Sequence, residues 1–135
     1  MNEYKIFDVE TFRKMVSDSG YDKPILFASF NVWPDVVSNS EFAELFNPVS
    51  KHEIIMGGLM GELDGIPFYT DGFRYEKDKV LQQHELILLE DNAKSKEILE
   101  INDLVALRFE LESIPHVRYV RKEEGNPVTT FKPSC

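Results

Sequence analysis

The 135-residue chain reads as an α+β protein. Three observations point there. Apolar residues recur at helical spacing in the first fifty residues. Short apolar runs and period-two alternation dominate the remainder. Asp64-Gly65 stands between two strand-like segments. Helices early and strands late predict short N-terminal helices packed on a mostly antiparallel sheet. Residues 1–125 read as a single domain and residues 126–135 as a flexible C-terminal tail.

Each element has a local reason. Asp8 is placed to cap a first helix whose Val9, Phe12, Met15 and Val16 share a face and which Gly20 stops. Pro24 ends the following turn, and the apolar run from Ile25 to Phe30 has the character of a buried strand. Pro34 suits the first turn of a helix that Asn31 or Val32 precedes. Ser38 and Glu41 have capping-box spacing ahead of a face made by Phe42, Leu45 and Phe46. Asn47-Pro48 breaks the chain. Ser50 then opens a short helix carrying Ile54, Ile55 and Met56, stopped by Gly57-Gly58.

Leu59–Leu63 and Ile66–Thr70 read as the arms of a hairpin, because Asp-Gly supplies the positive φ that a type I′ turn needs at both central positions. Pro67 predicts that the second arm is an edge strand or turns its missing donor outward. Phe73–Lys79 reads as a polar loop, Leu86–Leu89 as a buried strand and Glu90–Lys96 as a solvated turn. From Leu104, Val105, Leu107, Phe109 and Leu111 alternate with Ala106, Arg108, Glu110 and Glu112, which predicts a strand. Beyond Pro115, Val117 and Tyr119 alternate with Arg118 and Val120 in another. Gly125-Asn126-Pro127 forms a turn before the tail.

Fifteen Lys and Arg face 24 Asp and Glu, a net charge of −9. That balance argues against nucleic-acid binding, which needs a basic face, and against anionic membrane surfaces. The deficit lies in the first hundred residues; residues 101–135 carry five acids and five bases. Such asymmetry reads first as an ordinary solubilising surface, and it also suits a protein whose ends meet different partners or neighbouring copies. The acidic start has no signal-peptide pattern, and no apolar run approaches a membrane span, so a soluble, intracellular protein is expected. Cys135, the single cysteine, forms no internal disulfide and reads as an incidental terminal thiol.

Chemistry-bearing motifs are sparse. His52, His84 and His116 have neither i, i+4 spacing nor an HExxH context, so no metal site is expected. Gly57, Gly58, Gly61 and Gly65 match no phosphate-binding loop and read as backbone geometry. The acid pairs Asp64/Asp71 and Glu90/Asp91 read as turn formers and solvated charges. No activated Ser or Cys is visible, so catalytic residues and cofactors are expected to be none. Phe68, Tyr69, Phe73 and Tyr75 bracket the hairpin and suit either a core or an interface centre.

One run resembles a family. PILFASFNVWPDVV, then FNPVSKHEIIMGGLMGELDGIPFYTD, is similar to the central region of the major capsid proteins of tailed bacteriophages. There a strand leads to a helix, an Asp-Pro-Val-Thr-like turn, a Gly-rich segment and a strand of Gly-x-Pro-Val type. INDLVALRFELESIPHVRYV resembles that family's closing strands. The likeness covers residues 24–121, in the peripheral and axial region; the N-terminal arm and extended hairpin have no counterpart, and only Asp8–Ser19 stands, shortened, for the long spine helix. It implies a non-enzymatic structural or protein-interaction module, located in a virion or host cytoplasm. The implied partners are other subunits, its own or capsid protein, with no direct nucleic acid and no membrane. A stand-alone capsid-like protein binding a host factor, and a small enzyme on an unrelated α+β fold, are the alternatives. The expected binding surface is the hairpin and its flank, namely Leu63, Asp64, Ile66, Phe68, Tyr69, Phe73 and Tyr75. A second surface is expected on the basic final strand, at Arg118, Arg121 and Lys122.

Overall fold

A computed structural model describes residues 8–37, 40–48, 58–120 and 128–132. The helices are α1 (Val9–Ser19), α2 (Trp33–Val37), α3 (Ser40–Leu45), α4 (Ala93–Leu99) and α5 (Leu104–Glu112). The strands are β1 (Pro24–Ala28), β2 (Phe46–Pro48), β3 (Leu59–Leu63), β4 (Ile66–Thr70), β5 (Glu85–Glu90), β6 (His116–Val120) and β7 (Val128–Lys132). Short 3₁₀ turns lie at Phe30–Val32 and Glu76–Asp78. The strands form one sheet in the order β2-β3-β4-β1-β5-β6-β7. Only β1 and β4 pair in parallel, so the sheet is mostly antiparallel and the architecture is α+β.

The two uninterrupted apolar runs occupy the middle of this sheet, where both faces are covered. Leu26, Ala28, Leu86 and Leu88 pack with Phe12 and Met15 of α1, Val36 of α2 and Phe42 of α3. Their neighbours Ile25, Phe27, Ile87 and Leu89 point the other way, onto Ile98 of α4 and Leu107 and Leu111 of α5. Strands buried on both sides have no polar face to alternate with, which is why these runs are continuous. The N-terminal helices thus cover one face as expected, and a second pair of helices covers the other.

Local signals place most elements. The Asp8 carboxylate accepts from the Thr11 amide and Gly20 closes α1 at φ 71°, in the left-handed region. The hairpin has its predicted arms, with φ 54° at Asp64 and 80° at Gly65. Pro34 sits in the first turn of α2. The Ser38–Glu41 capping box and the helix expected from Ser50 fall on or across positions outside the described residues.

Five expectations are corrected. Glu90–Lys96 is not a turn: Asn92 caps α4, and its side chain and Ser95 exchange hydrogen bonds with each other's amides at 3.0 and 2.9 Å. Leu104–Glu112 is a helix, capped by Asp103 accepting from the Ala106 amide at 2.9 Å. Only Leu107 and Leu111 of its alternating set are buried, four residues apart on one helical face. Phe46 leaves the helix that carries Phe42 and Leu45 and opens β2, beside Leu63. Of the two placements left open by Pro67, an edge strand or an outward-turned missing donor, the edge is overturned, because β4 lies between β3 and β1. Pro67 is tolerated because the β1 register begins one residue later, at Leu26↔Phe68. Within the segment read as a tail, Val128–Lys132 pairs along all of β6. Among the described residues no helix is long and apolar enough to cross a membrane.

Candidate protein-interaction site

The hairpin is a core element on one face and a wall on the other. Leu63, Ile66 and Phe68 are buried among Met15, Phe42 and Val36, so they are unavailable to a partner and the expectation for them is corrected. Asp64 sits at the turn and receives two hydrogen bonds from the Arg13 guanidinium, at 2.9 and 3.1 Å. Its carboxylate orients the turn against α1. Tyr69 points to the opposite face, toward α4. The Lys96 ammonium lies 5.5 Å from its ring centre and 3.4 Å from its hydroxyl. Burial works against that ammonium, but Tyr69 and Asp91 outweigh it and raise its pKa.

Beyond β4 the chain turns sharply over a buried carboxylate. Asp71 accepts from the Val80 and Leu81 amides at 2.9 and 3.0 Å, tying the start of the loop to its end. Arg74 reaches down from this loop and donates to the carbonyls of Leu99 and Ile101, its guanidinium carbon 5.6 Å from the Phe27 ring centre. A planar fork with several donors suits two adjacent carbonyls at the end of a helix. The loop is therefore fastened at both ends, and its aromatic residues are pushed outward.

Phe73 and Tyr75 are 48% and 80% exposed. Phe73 meets Phe30 edge-to-face at 5.5 Å between ring centres, and Phe30 is itself 43% exposed. Gly72 allows this contact, since a Cβ there would collide with the Phe30 side chain. The result is a ridge of three exposed aromatic rings. On one flank lies an open groove of about 610 Å³, lined by Tyr69, Thr70, Phe73, Tyr75, Lys96 and Asn102 among others. On the other flank, a cleft of about 380 Å³ is lined by Phe30, Asn31, Asp71, Lys79 and Gln82 among others. Of the expected surface residues, the structure brings Tyr69, Phe73 and Tyr75 together.

Of the second expected surface, the structure describes only Arg118. Arg118 is not available to a neighbour: it and Arg108 of α5 both bind the Glu85 carboxylate, which is fully buried. Burial alone raises the Glu85 pKa, but hydrogen bonds from Arg108, the Gln82 amide and Arg118 outweigh it and hold the group below its ordinary value. This triad pins α5 and β6 to the end of β5. Arg121 and Lys122 lie outside the described residues.

Phe30, Arg74 and Lys96 escaped sequence reasoning. Phe30 closes an apolar run, which assigns it to the core, yet it lies two residues beyond the end of β1 and turns out with the 3₁₀ turn. Arg74 and Lys96 carry no motif; only proximity through the fold gives them roles. Among the described residues no group of three His, Cys, Asp or Glu could hold a metal ion. His116 is buried, with its Nδ1 3.1 Å from the Ile114 carbonyl, and His84 takes a left-handed backbone conformation with its amide donating to Asn31. His52 lies outside the described residues. Comparison with protein-family models, with curated proteins and with solved structures gives no match.

Proposed function

We propose that the chain is a non-enzymatic structural module of the phage-capsid kind, which works by binding other protein subunits through its aromatic ridge and groove. One observation carries this reading: Phe73 and Tyr75 stand exposed on a loop fastened by Asp71 and Arg74, and Phe73 meets the exposed Phe30 edge-to-face. Exposed aromatic rings cost solubility when left in water and are favoured at interface centres, where their burial is large and their side-chain entropy loss small. A fastened loop also loses little freedom on docking. The −9 charge supports protein rather than nucleic-acid partners. The resemblance of residues 24–121 to capsid proteins supports subunits as those partners.

Light scattering combined with electron microscopy on the purified chain tests this, under reducing conditions so that Cys135 links nothing. The wild type is expected to form dimers, rings, sheets or shells, and Phe73→Ser with Tyr75→Ser to remain monomeric with unchanged circular dichroism. Equal masses for the two proteins would contradict the proposal, as would tight binding of a nucleotide or metal ion.

A further inference from the structure

Asp71 commits only one of its two side-chain oxygens to the loop. The residue is 2% exposed. Its Oδ2 accepts from the Val80 and Leu81 amides at 2.9 and 3.0 Å, and its Oδ1 receives no hydrogen bond from a described residue. Buried acids are almost always paired with a cation. Glu85 follows that rule, with two guanidinium groups on its carboxylate. Asp71 has no such partner among the described residues. Arg74 turns away to the carbonyls of Leu99 and Ile101, and Lys79 pairs with Glu76 at 3.0 Å.

Asp71 is not sealed in. It forms part of the wall of the cleft of about 380 Å³ beside Phe30. That size falls within the range of small-molecule sites, about 300–1,000 Å³. The charged residues of the wall are Asp71, Glu76 and Lys79, and the Glu76–Lys79 pair cancels. One negative charge, that of Asp71, is left. The rest of the wall is neutral. The Asn31 Oδ1 already accepts from the Ser29 hydroxyl and, at 2.7 Å, from the His84 amide. Gln82 and Gln83, both exposed, add side-chain carbonyls, and Phe30 and Leu81 add apolar surface.

A bare divalent ion needs six or more oxygen ligands, usually with several carboxylates, and the described residues assemble no such group. An organic ammonium needs less: one carboxylate, a few carbonyls, and an apolar or aromatic surface for its stem. We propose that this cleft binds a primary alkylammonium group. Asp71 Oδ1 accepts one of its N–H donors, the Gln82 and Gln83 carbonyls take the others, and Phe30 and Leu81 cover the alkyl stem. The site goes beyond the subunit-binding reading and stands without it.

Amide NMR on the intact chain, titrated with 1,4-diaminobutane, tests this. The Gly72, Val80 and Leu81 resonances are expected to move together, with a dissociation constant on the order of 1 mM for one charge-assisted contact and a short stem. The diol 1,4-butanediol, of equal length and no charge, should leave them in place. Asp71→Asn keeps an oxygen for the Val80 and Leu81 amides but turns the free oxygen into a donor, and should weaken diamine binding about tenfold or more. A free amine and a lysine side chain offer the same group. Tighter binding of Nα-acetyl-lysine amide than of the diamine assigns the site to a lysine of a bound protein, and the reverse order to a free amine; either supports the site. Equal shifts with the diol, undiminished binding to a folded Asp71→Asn, or shifts spread over the acidic surface that spare Gly72, Val80 and Leu81 overturn the proposal. Should Asp71→Asn lose its circular dichroism signal, the comparison of diamine with diol on the wild type decides alone.

Discussion

Glu85 shows how a single buried residue fixes the relation between layers. It is the first residue of β5 and is fully buried, a position where an unpaired carboxylate would be costly. Arg108 from α5 and Arg118 from β6 supply the charge, and the Gln82 amide supplies a further hydrogen bond. Replacing Glu85 by Gln leaves two partly buried guanidinium groups facing a neutral amide. Unfolding in urea should show a loss of about 3 kcal/mol at neutral pH, the low end for breaking a buried ion pair because both arginines retain some solvent contact. The carboxyl has a lower pKa folded than unfolded, so its stabilisation is full above the unfolded value and disappears as pH falls through the folded one. The difference between wild type and Glu85→Gln should therefore shrink once the pH drops below about 4. A constant difference down to acid pH would show that Glu85 stabilises by shape rather than by charge. None of this was legible in the sequence, where Glu85 follows a histidine and resembles any solvated acid.

At the level of elements, the hairpin was legible to the residue and α5 was not. Asp64-Gly65 prescribes its turn because few dipeptides accept positive φ twice, and no tertiary contact is needed to decide it. The two glycines of this unit serve different ends. Gly65 takes φ 80° in open space, so Gly65→Ala should cost about 1 kcal/mol of backbone strain. Gly61 takes φ 152° where β3 meets β2, and a Cβ there would run into the Asn47 carbonyl and approach Pro48 Cα to 2.9 Å. Gly61→Ala should cost more than about 3 kcal/mol, because backbone rather than a flexible side chain stands in the way. Thermal unfolding of the two variants checks the order; equal losses would remove the role given to the β2 contact. In α5, by contrast, alternation of Val105, Leu107, Phe109 and Leu111 is a strand signature only if all four are buried. Two of them face solvent, and Leu107 and Leu111 alone carry the helical periodicity. Sequence periodicity assumes that apolar means inside, and it fails where apolar residues such as Val105 and Phe109 stand in solvent.

For the whole molecule, the same limit shaped what could be foreseen of the site. Charge and composition pointed to protein partners, and three of the aromatics named from sequence, Tyr69, Phe73 and Tyr75, line one groove. Leu63, Ile66 and Phe68 have equal apolar character but belong to the core, a distinction that depends on which face of β4 meets α1. The position of α4 and α5 across the sheet, which completes the groove with Lys96 and Asn102, depends on chain segments that read as turn and strand. The ridge is proposed as the place where this protein touches another subunit. A photoreactive residue placed at Tyr75, with a control at Glu10 on the exposed side of α1, measures that contact directly in the purified protein. Irradiation at rising concentration should give covalent dimers from position 75 and only background from position 10. No dimers from position 75, or equal yields from both positions, would contradict a subunit contact at the ridge.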